Sequence, residues 1–237
     1  MLFALWSPKG GSGTSVLAAA CAAALARRGG CRLADLGGDL PAILGLGADP
    51  DTGIAEWLAT GPDAPADALE RLAVEVAPGL LLIPPGTPRV LAPAAAAEAG
   101  VALGAALQRA EVPCVVDAGR ADAPAARMTV EIADVSVVVL RGCYLGLRRA
   151  VNAPLTARAT GIAFVDEPGR SLGASEIRDV LERPVLARVP VRPPIARAVD
   201  AGVLAVRPPE PLLRAASRLL DAATRAGGVA DELRHAS

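Results

Sequence analysis

Short, unbroken runs of apolar residues alternate along the chain with longer stretches rich in alanine and leucine. An unbroken apolar run is typical of a parallel strand covered on both faces, because a strand with one wet face alternates apolar and polar residues. The runs predict strands at residues 2–6, 32–36, 80–83, 114–117, 135–140, 162–165 and 185–189. Residues 74–76 predict a further short strand at an edge of the sheet.

The stretches between these runs predict helices, and most Pro and Gly residues fall between the predicted elements, where turns need them. The predicted helices cover residues 14–28, 54–60, 93–109, 124–132, 145–151, 174–181, 194–201 and 211–226. This repeated strand–helix order predicts an α/β protein with a doubly wound, mostly parallel sheet and helices on both faces. We expect a single domain over residues 1–226 and a mobile tail over residues 227–237.

Composition limits the classes of protein. Hydrophobic residues make up 52% of the chain and aromatic residues only 2%, so Ala, Leu and Val have to fill the core. The net charge of −1 argues against a nucleic-acid partner. The longest apolar stretch, residues 16–26, is well short of the ~20 residues of a membrane span. The four Cys residues form no CxxC pair, which favours reduced, apolar fillers in a cytoplasmic protein over a metal or redox site.

Lys9 is the only lysine of the chain, and all the other basic residues are arginines. It stands in a glycine-rich loop, residues 7–15 (SPKGGSGTS), between a predicted strand and a predicted helix. The glycines of such a loop allow successive backbone N–H groups to point at a phosphate, and the helix N-terminus adds partial positive charge. Ser15 stands where a hydroxyl would bind Mg²⁺. The alternative is the chance survival of one lysine in an arginine-rich composition.

The segment Lys9-Gly10-Gly11-Ser12-Gly13-Thr14-Ser15 resembles the deviant Walker A loop of the MinD/ParA family of P-loop ATPases, KGGxGK[ST]. The resemblance implies that residues 10–15 bind ATP, that Ser15 binds Mg²⁺, and that Lys9 reaches the nucleotide of a partner subunit. Thr14, however, stands where the family has its main P-loop lysine. Losing such a charge-assisted contact costs about 1.5–3 kcal/mol, or about tenfold to a hundredfold in affinity, so we expect a weakened site.

The family reads D-x-D after its second strand. Asp35 matches the first acid, which implies a catalytic and metal-binding role. Gly37 stands in place of the second acid, which in the family orients the attacking water. Asp39 is close enough in sequence to replace it as a catalytic residue, and its alternative is a turn residue or a helix cap.

Further candidate residues lie at the ends of predicted strands, where open α/β sheets bind their ligands. Asp117 resembles the Walker B acid, which implies a magnesium ligand, and Gly119 would pass the terminal phosphate. Arg141, or Arg120, is a candidate to replace part of the charge missing at Thr14, and its alternative is a surface arginine. In the family a loop that lines the base corresponds to Pro190 and Arg192, which are predicted to bind nucleotide.

Residues 38–46, 169–173 and 196–202 narrow the resemblance to the CpaE/TadZ branch of the family. Proteins of this branch are associated with Flp/Tad pilus assembly or labelled septum-site-determining proteins, and degenerate ATP sites occur among them. The resemblance implies a cytoplasmic homodimer and pseudo-ATPase that positions pilus, secretion or septum machinery, with at most peripheral contact at the inner face of the membrane or the cell pole. An active ATPase and a nucleotide-free interaction module are the alternatives.

The last predicted helix is amphipathic, with apolar residues on one side and arginines on the other. MinD ends in a membrane-binding helix of this kind. Here the apolar face is small and the helix lacks Trp, Phe and Lys, so the sequence favours packing against the sheet.

Overall fold

The computed structural model describes the backbone of residues 1–235 and their side chains apart from positions 66 and 229–235. Within this range, eight strands form one sheet: β1 (Leu2–Trp6), β2 (Cys31–Asp35), β3 (Val74–Ala77), β4 (Leu80–Ile83), β5 (Cys114–Asp117), β6 (Val135–Arg141), β7 (Gly161–Asp166) and β8 (Val185–Pro190). Their order is β3-β4-β2-β5-β1-β6-β7-β8. Neighbouring strands are parallel, except that β3 pairs antiparallel with β4 at the edge.

The predicted fold class is confirmed, and every predicted strand is present within one residue at either end. The helices of the described residues are α1 (Thr14–Gly29), α2 (Leu40–Leu44), α3 (Ile54–Thr60), α4 (Ala66–Leu72), α5 (Pro93–Gln108), α6 (Pro124–Ile132), α7 (Tyr144–Asn152), α8 (Pro154–Arg158), α9 (Ala174–Leu181), α10 (Pro193–Asp200) and α11 (Glu210–His235).

The short helices α2, α4 and α8 were not predicted, because five to seven residues hold too few apolar positions to show a helical period. The last helix is longer than predicted, since α11 continues from the expected end at residue 226 to His235. The segment predicted as a mobile tail is therefore helical as far as residue 235. Residues 236 and 237 lie outside the described residues.

The sheet separates two hydrophobic cores, because successive side chains of a strand point to opposite faces. In β1, Phe3 and Leu5 join one core, while Leu2, Ala4 and Trp6 join the other. The first core lies under α1, α2, α10 and α11. The second lies under the helices from α3 to α9. With both faces covered, the central strands are apolar on each side, which explains their unbroken runs.

Glycines replace bulk where two helices of the second core meet. A Cβ atom on Gly100 of α5 would lie 2.4 Å from the carbonyl oxygen of Ala125 in α6, and one on Gly104 would lie 2.4 Å from Ile132 Cδ1. Thr129 Oγ1 of α6 lies 3.0 Å from the Gly100 carbonyl oxygen, as its hydrogen-bond donor. The backbones of α5 and α6 thus lie close together, which fills this part of a core that has few aromatic side chains.

None of the helices described in residues 1–235 combines the length and hydrophobicity that crossing a bilayer requires. The amphipathic helix α11 packs its apolar side chains into the first core, with Leu212, Ala216 and Leu219 almost fully buried. The predicted packing of this helix on the protein is confirmed for those side chains.

Candidate phosphate-binding site

The loop between β1 and α1 is curled by two glycines and held by serine side chains. Gly11 and Gly13 have φ angles of 73° and 92°, in the left-handed region that residues with a Cβ rarely adopt. Ser12 Oγ donates to the Lys9 carbonyl oxygen at 2.7 Å, and Ser7 Oγ lies 2.8 Å from Ser12 Oγ. The Ser7 backbone N–H donates to the Gly119 carbonyl oxygen at 2.9 Å. These bonds fix the loop internally and tie it to the end of β5.

A cleft of about 630 Å³ opens above this loop, at the carboxyl ends of the central strands. The cleft brings together the predicted residues Lys9, Gly10, Gly11, Ser12, Gly13, Thr14, Ser15, Asp39, Gly119 and Arg141. The predicted residues Pro190 and Arg192 do not line it, since they lie at the end of β8 and at the start of α10. The predicted residues Asp35 and Asp117 do not line it either, because both are fully buried, and Asp117 lies directly behind the lining residue Gly37.

Lys9 lies half-buried at the rim of the cleft. Its Nζ donates to the Gly10 carbonyl oxygen at 3.3 Å. Its stem lies beside the first turn of α7, because a Cβ on Gly146 would be 4.0 Å from Lys9 Cδ. The ammonium therefore lies at the exposed edge of the loop.

Thr14 begins α1 and is buried, with 7% of its surface exposed. Its short side chain places no positive charge in the loop. In the family that the loop resembles, the P-loop lysine stands at this position. The backbone of the loop supplies the polar groups that remain for an anion.

Asp117 has an unpaired carboxyl oxygen behind the wall of the cleft. Its Oδ1 accepts the Gly119 N–H at 2.9 Å, while its buried Oδ2 has no hydrogen-bond partner in the described part of the structure. Burial raises the pKa of this carboxyl, the neighbouring Ser15 hydroxyl and the Gly119 N–H act in the opposite direction, and the charge of Asp39 raises it further. A buried carboxylate with an unpaired oxygen is costly without a cation or a proton.

This donor set fits a magnesium ion that is shared with phosphate. Mg²⁺ is usually held by one or two carboxylates, a hydroxyl and phosphate oxygens rather than by a complete protein cage. Ser15 and the free Oδ2 of Asp117 match that pattern. Among the side chains that the structure describes, no three His, Cys, Asp or Glu are grouped so as to hold a metal ion by themselves.

Asp35 anchors its own loop. Its Oδ1 accepts the N–H groups of Gly37 at 2.9 Å and Gly38 at 2.6 Å, and its Oδ2 accepts that of Leu40 at 2.9 Å. Burial, and then the charge of Asp117, raise the pKa of Asp35 to about 7, although the three N–H groups act against this. Because both oxygens already bind backbone groups, the geometry favours Asp117 over Asp35 as the metal ligand.

Gly37 packs directly against Asp117. A Cβ at position 37 would lie 2.9 Å from Asp117 Oδ2, and one on Gly119 would lie 3.0 Å from Gly37 Cα. An aspartate at position 37, as the resembling family has, would therefore displace the Asp117 carboxylate. Asp39 is exposed at the rim of the cleft and precedes α2, where its side chain makes no capping hydrogen bond.

Arg120 also lines the cleft, and the sequence indicated it only as an alternative to Arg141. Its Cδ would lie 3.8 Å from a Cβ on Gly10, so the side chain covers the start of the loop. Its guanidinium pairs with Asp122 at 2.5 Å. Asp122 was missed, because only the turn after β5, with Ala121 at a positive φ of 51°, brings it back to the cleft.

Solved structures share this architecture along nearly their whole length. The septum site-determining protein MinD of Pyrococcus horikoshii, complexed with Mg-ADP, matches with a TM-score of 0.73, 18% identity, and coverage of 96% of this chain and 97% of that one. A ParA family ATPase of Chlorobium tepidum matches with a TM-score of 0.73 and 21% identity, and the match covers 92% of this chain and 97% of that one. A chain of the MinC:MinD cell division protein complex of Aquifex aeolicus matches with a TM-score of 0.70 and 20% identity, and the match covers 96% of this chain and 95% of that one.

The chain has the fold of the MinD and ParA ATPases. No protein-family model matches the sequence, and no curated protein matches it. The likeness therefore shows the architecture, and the chemistry has to be argued from the residues of the cleft.

Proposed function

We propose that this chain is a MinD/ParA-type nucleotide-binding protein of the CpaE/TadZ kind, with a weakened ATP site and little or no hydrolysis, which positions or scaffolds a cell-envelope assembly. The observation that carries the proposal is the cleft itself: a glycine loop lines it, and a buried Asp117 oxygen lies behind its lining residue Gly37, but Thr14 supplies no cation. Structural neighbours that hold Mg-ADP, or that are described as ATPases, support ATP and Mg²⁺ as its ligands.

The residues of the cleft divide the binding work. The backbone N–H groups of residues 10–15 would hold the phosphates, and Ser15 with Asp117 would hold Mg²⁺, which neutralises phosphate charge when bound. Slow hydrolysis is expected because Gly37 carries no acid to orient water, and because Asp35 is engaged by its own loop. Asp39 is the remaining candidate for that role.

A homodimer is proposed from the position of Lys9 at the rim, where its ammonium would contact the nucleotide of the second subunit. A partner protein of the pilus, secretion or septum machinery would then bind the nucleotide-dependent form. A MinD structure solved in complex with MinC supports this kind of assembly. The protein would act in the cytoplasm, with peripheral contact at the membrane or the cell pole.

Calorimetric titration with ATP and Mg²⁺ tests the proposal. Thr14→Lys should tighten ATP binding by about tenfold to a hundredfold, because it restores one charge-assisted contact. Thr14→Met is the matched control, since it adds a similar stem without the ammonium and should give no gain. If Thr14→Lys folds normally and neither it nor the wild type binds ATP, the chain is a nucleotide-free interaction module instead.

Phosphate release distinguishes the proposal from an active ATPase. The wild type should release phosphate at or near the background rate, with Mg²⁺ and saturating ATP. Steady turnover that Asp39→Asn or Lys9→Ala abolishes would replace the proposed pseudo-ATPase with a working enzyme of the partitioning type.

A further inference from the structure

Arg141 is positioned beside the loop segment that lacks a cation. It ends β6, and its register partner in β7 is Val165. Val165 Cγ2 would lie 4.0 Å from a Cβ on Gly13, so the ends of β6 and β7 adjoin the residues just before α1. Arg141 also lines the cleft. The Arg141 side chain thus starts beside Val165, which adjoins Gly13, the residue before Thr14.

The Arg141 guanidinium is poorly satisfied. Its Nε is buried and has no hydrogen-bond partner among residues 1–235. Its Nη1 reaches Glu167 Oε2 at 3.5 Å, the outer limit of a hydrogen bond. By contrast, the other arginine of the cleft, Arg120, is closely paired with Asp122 and more exposed. A partly buried cation with weak bonds gains more from an incoming anion than one that is already paired.

Glu167 is shared between two arginines. The same Oε2 atom accepts Arg170 Nε at 2.8 Å, a normal charge-assisted distance. Backbone packing holds this arrangement in place, because a Cβ on Gly142 would lie 2.1 Å from the Leu172 carbonyl oxygen and 3.0 Å from Arg170 Cβ. Arg170 therefore keeps most of the Glu167 carboxylate, and Arg141 is left with the longer contact.

We propose that Arg141 and Arg170 compete for the Glu167 carboxylate, and that this competition sets the affinity of the cleft for a polyphosphate. Arg141 swings from Glu167 to a phosphate in the loop and supplies the charge that Thr14 lacks. Arg170 compensates Glu167 when Arg141 leaves, so that the half-buried Glu167 carboxylate keeps a cationic partner. This inference rests on the proposed nucleotide site and assigns its regulation to the segment from Glu167 to Arg170.

The competition predicts opposite effects for its members, measured by calorimetry with ATP·Mg²⁺ and with inorganic tripolyphosphate. Glu167→Gln frees Arg141 and should tighten binding severalfold. Arg170→Ala leaves Glu167 to Arg141 alone and should weaken binding severalfold. Arg141→Gln should weaken it by about tenfold to a hundredfold, the usual range for one charge-assisted contact, and Arg141→Lys should recover part of the loss.

Two controls exclude simpler causes. Asp179→Asn makes the same change in net charge as Glu167→Gln, but it removes an exposed acid that pairs with Arg178 on α9. It should change the affinity less than twofold, which separates a local effect from a general one. The double variant Glu167→Gln with Arg141→Gln should bind no more tightly than Arg141→Gln alone, because Glu167 acts through Arg141. Circular dichroism verifies that each variant is folded.

The same titrations are repeated with Thr14→Lys. If the wild type or Thr14→Lys binds tripolyphosphate, and Glu167→Gln and Arg141→Gln leave that affinity unchanged in both chains, the competition is refuted while the nucleotide site stands. If no variant binds either ligand, both proposals are overturned. Tighter binding by Glu167→Gln that survives removal of Arg141 would also refute the inference, since the gain would then come from lost repulsion alone.

Discussion

Two buried carboxyl groups lie side by side at the ends of neighbouring strands, behind the wall of the cleft. Asp35 of β2 is the register partner of Asp117 of β5, and both side chains are fully buried. Burial and the charge of Asp117 raise the pKa of Asp35 to about 7. An aspartate of an unfolded chain titrates near about 3.9. The native state therefore holds a proton at Asp35 in a pH range where the unfolded chain has lost it.

This difference makes stability depend on pH. Because the folded state binds the extra proton, the free energy of unfolding should fall as pH rises from about 4 to about 7, and level off above that. Asp117→Asn removes the Asp117 carboxyl, whose own pKa is raised by burial, and it removes one cause of the raised pKa of Asp35. For both reasons the fall in stability between about pH 5 and about pH 8 should become smaller, and the part that comes from Asp35 is about 1.4 kcal/mol for each tenfold increase in its acid dissociation constant. Urea unfolding at the two pH values measures it.

Asp122→Asn is the control for this prediction, because it removes an exposed carboxylate from the rim of the same cleft. It should leave the slope of stability against pH unchanged. An equally steep slope in Asp117→Asn would mean that Asp117 neither contributes a raised pKa of its own nor raises the pKa of Asp35.

Local sequence was sufficient for some site residues and not for others. The glycine loop and Asp117 were predicted as site residues because their spacing from a strand end is a local pattern; the structure places the loop in the cleft, and it places Asp117 behind the lining residue Gly37. The contact between Arg141 and Glu167 joins the last residue of β6 to the residue that follows β7, 26 positions along the chain. No local sequence pattern encodes such a pair, so it could be found only from the pairing of β6 with β7 in the structure.

At the scale of elements, strands were more predictable than short helices. A central strand has both faces buried, so its apolar run appears in the sequence whatever surrounds it. A five-residue helix such as α2 forms because its neighbours hold it: Asp35 accepts the Leu40 N–H, and Gly45 ends the helix with a positive φ. Such short-range contacts leave no repeating apolar pattern in the sequence, which is why composition and period did not predict α2.

The packing of α5 on α6 gives a test at this scale. Gly100→Ala places a Cβ 2.4 Å from a backbone oxygen of Ala125, which cannot rotate away, so the two helices have to separate. We expect a loss of about 1–3 kcal/mol from overpacking, reduced by up to about 1 kcal/mol of gained helix propensity. Chemical denaturation at constant pH measures the net loss.

Gly228→Ala is the matched control, because Gly228 is also a helical glycine but a Cβ there meets nothing within 4 Å. It should stabilise the protein by about 0.5–1 kcal/mol, the intrinsic preference of a helix for alanine. If both substitutions stabilise, α5 and α6 are not held as closely as the glycine geometry requires.

At the scale of the whole molecule, the strand order explains where the cleft lies. β1 sits between β5 and β6, with α1 on one face of the sheet and α6 on the other. The crevice at the carboxyl ends of such strands is the usual ligand site of an open α/β sheet. The repeated strand–helix order predicted that architecture, whereas the side chains that modify the cleft, Thr14 and Gly37, required comparison with a family pattern.

The position of Lys9 at the rim leads to a prediction about assembly. If its ammonium contacts the nucleotide of a second subunit, saturating ATP and Mg²⁺ should shift the protein from monomer to dimer, measured by light scattering after size exclusion. Lys9→Ala should still bind ATP but remain monomeric. Lys9→Arg should also dimerise poorly, because a planar guanidinium does not reproduce a compact ammonium in a crowded phosphate site.

Arg71→Ala provides the control for lost charge, since it removes an exposed cation that pairs with Asp67 on α4, away from the cleft. It should dimerise like the wild type. Dimerisation of Lys9→Ala at the wild-type ATP concentration would place the subunit interface elsewhere. Because Thr14→Lys raises nucleotide occupancy without altering Lys9, it should lower the ATP concentration needed for the dimer, and it should do so only when Lys9 is present.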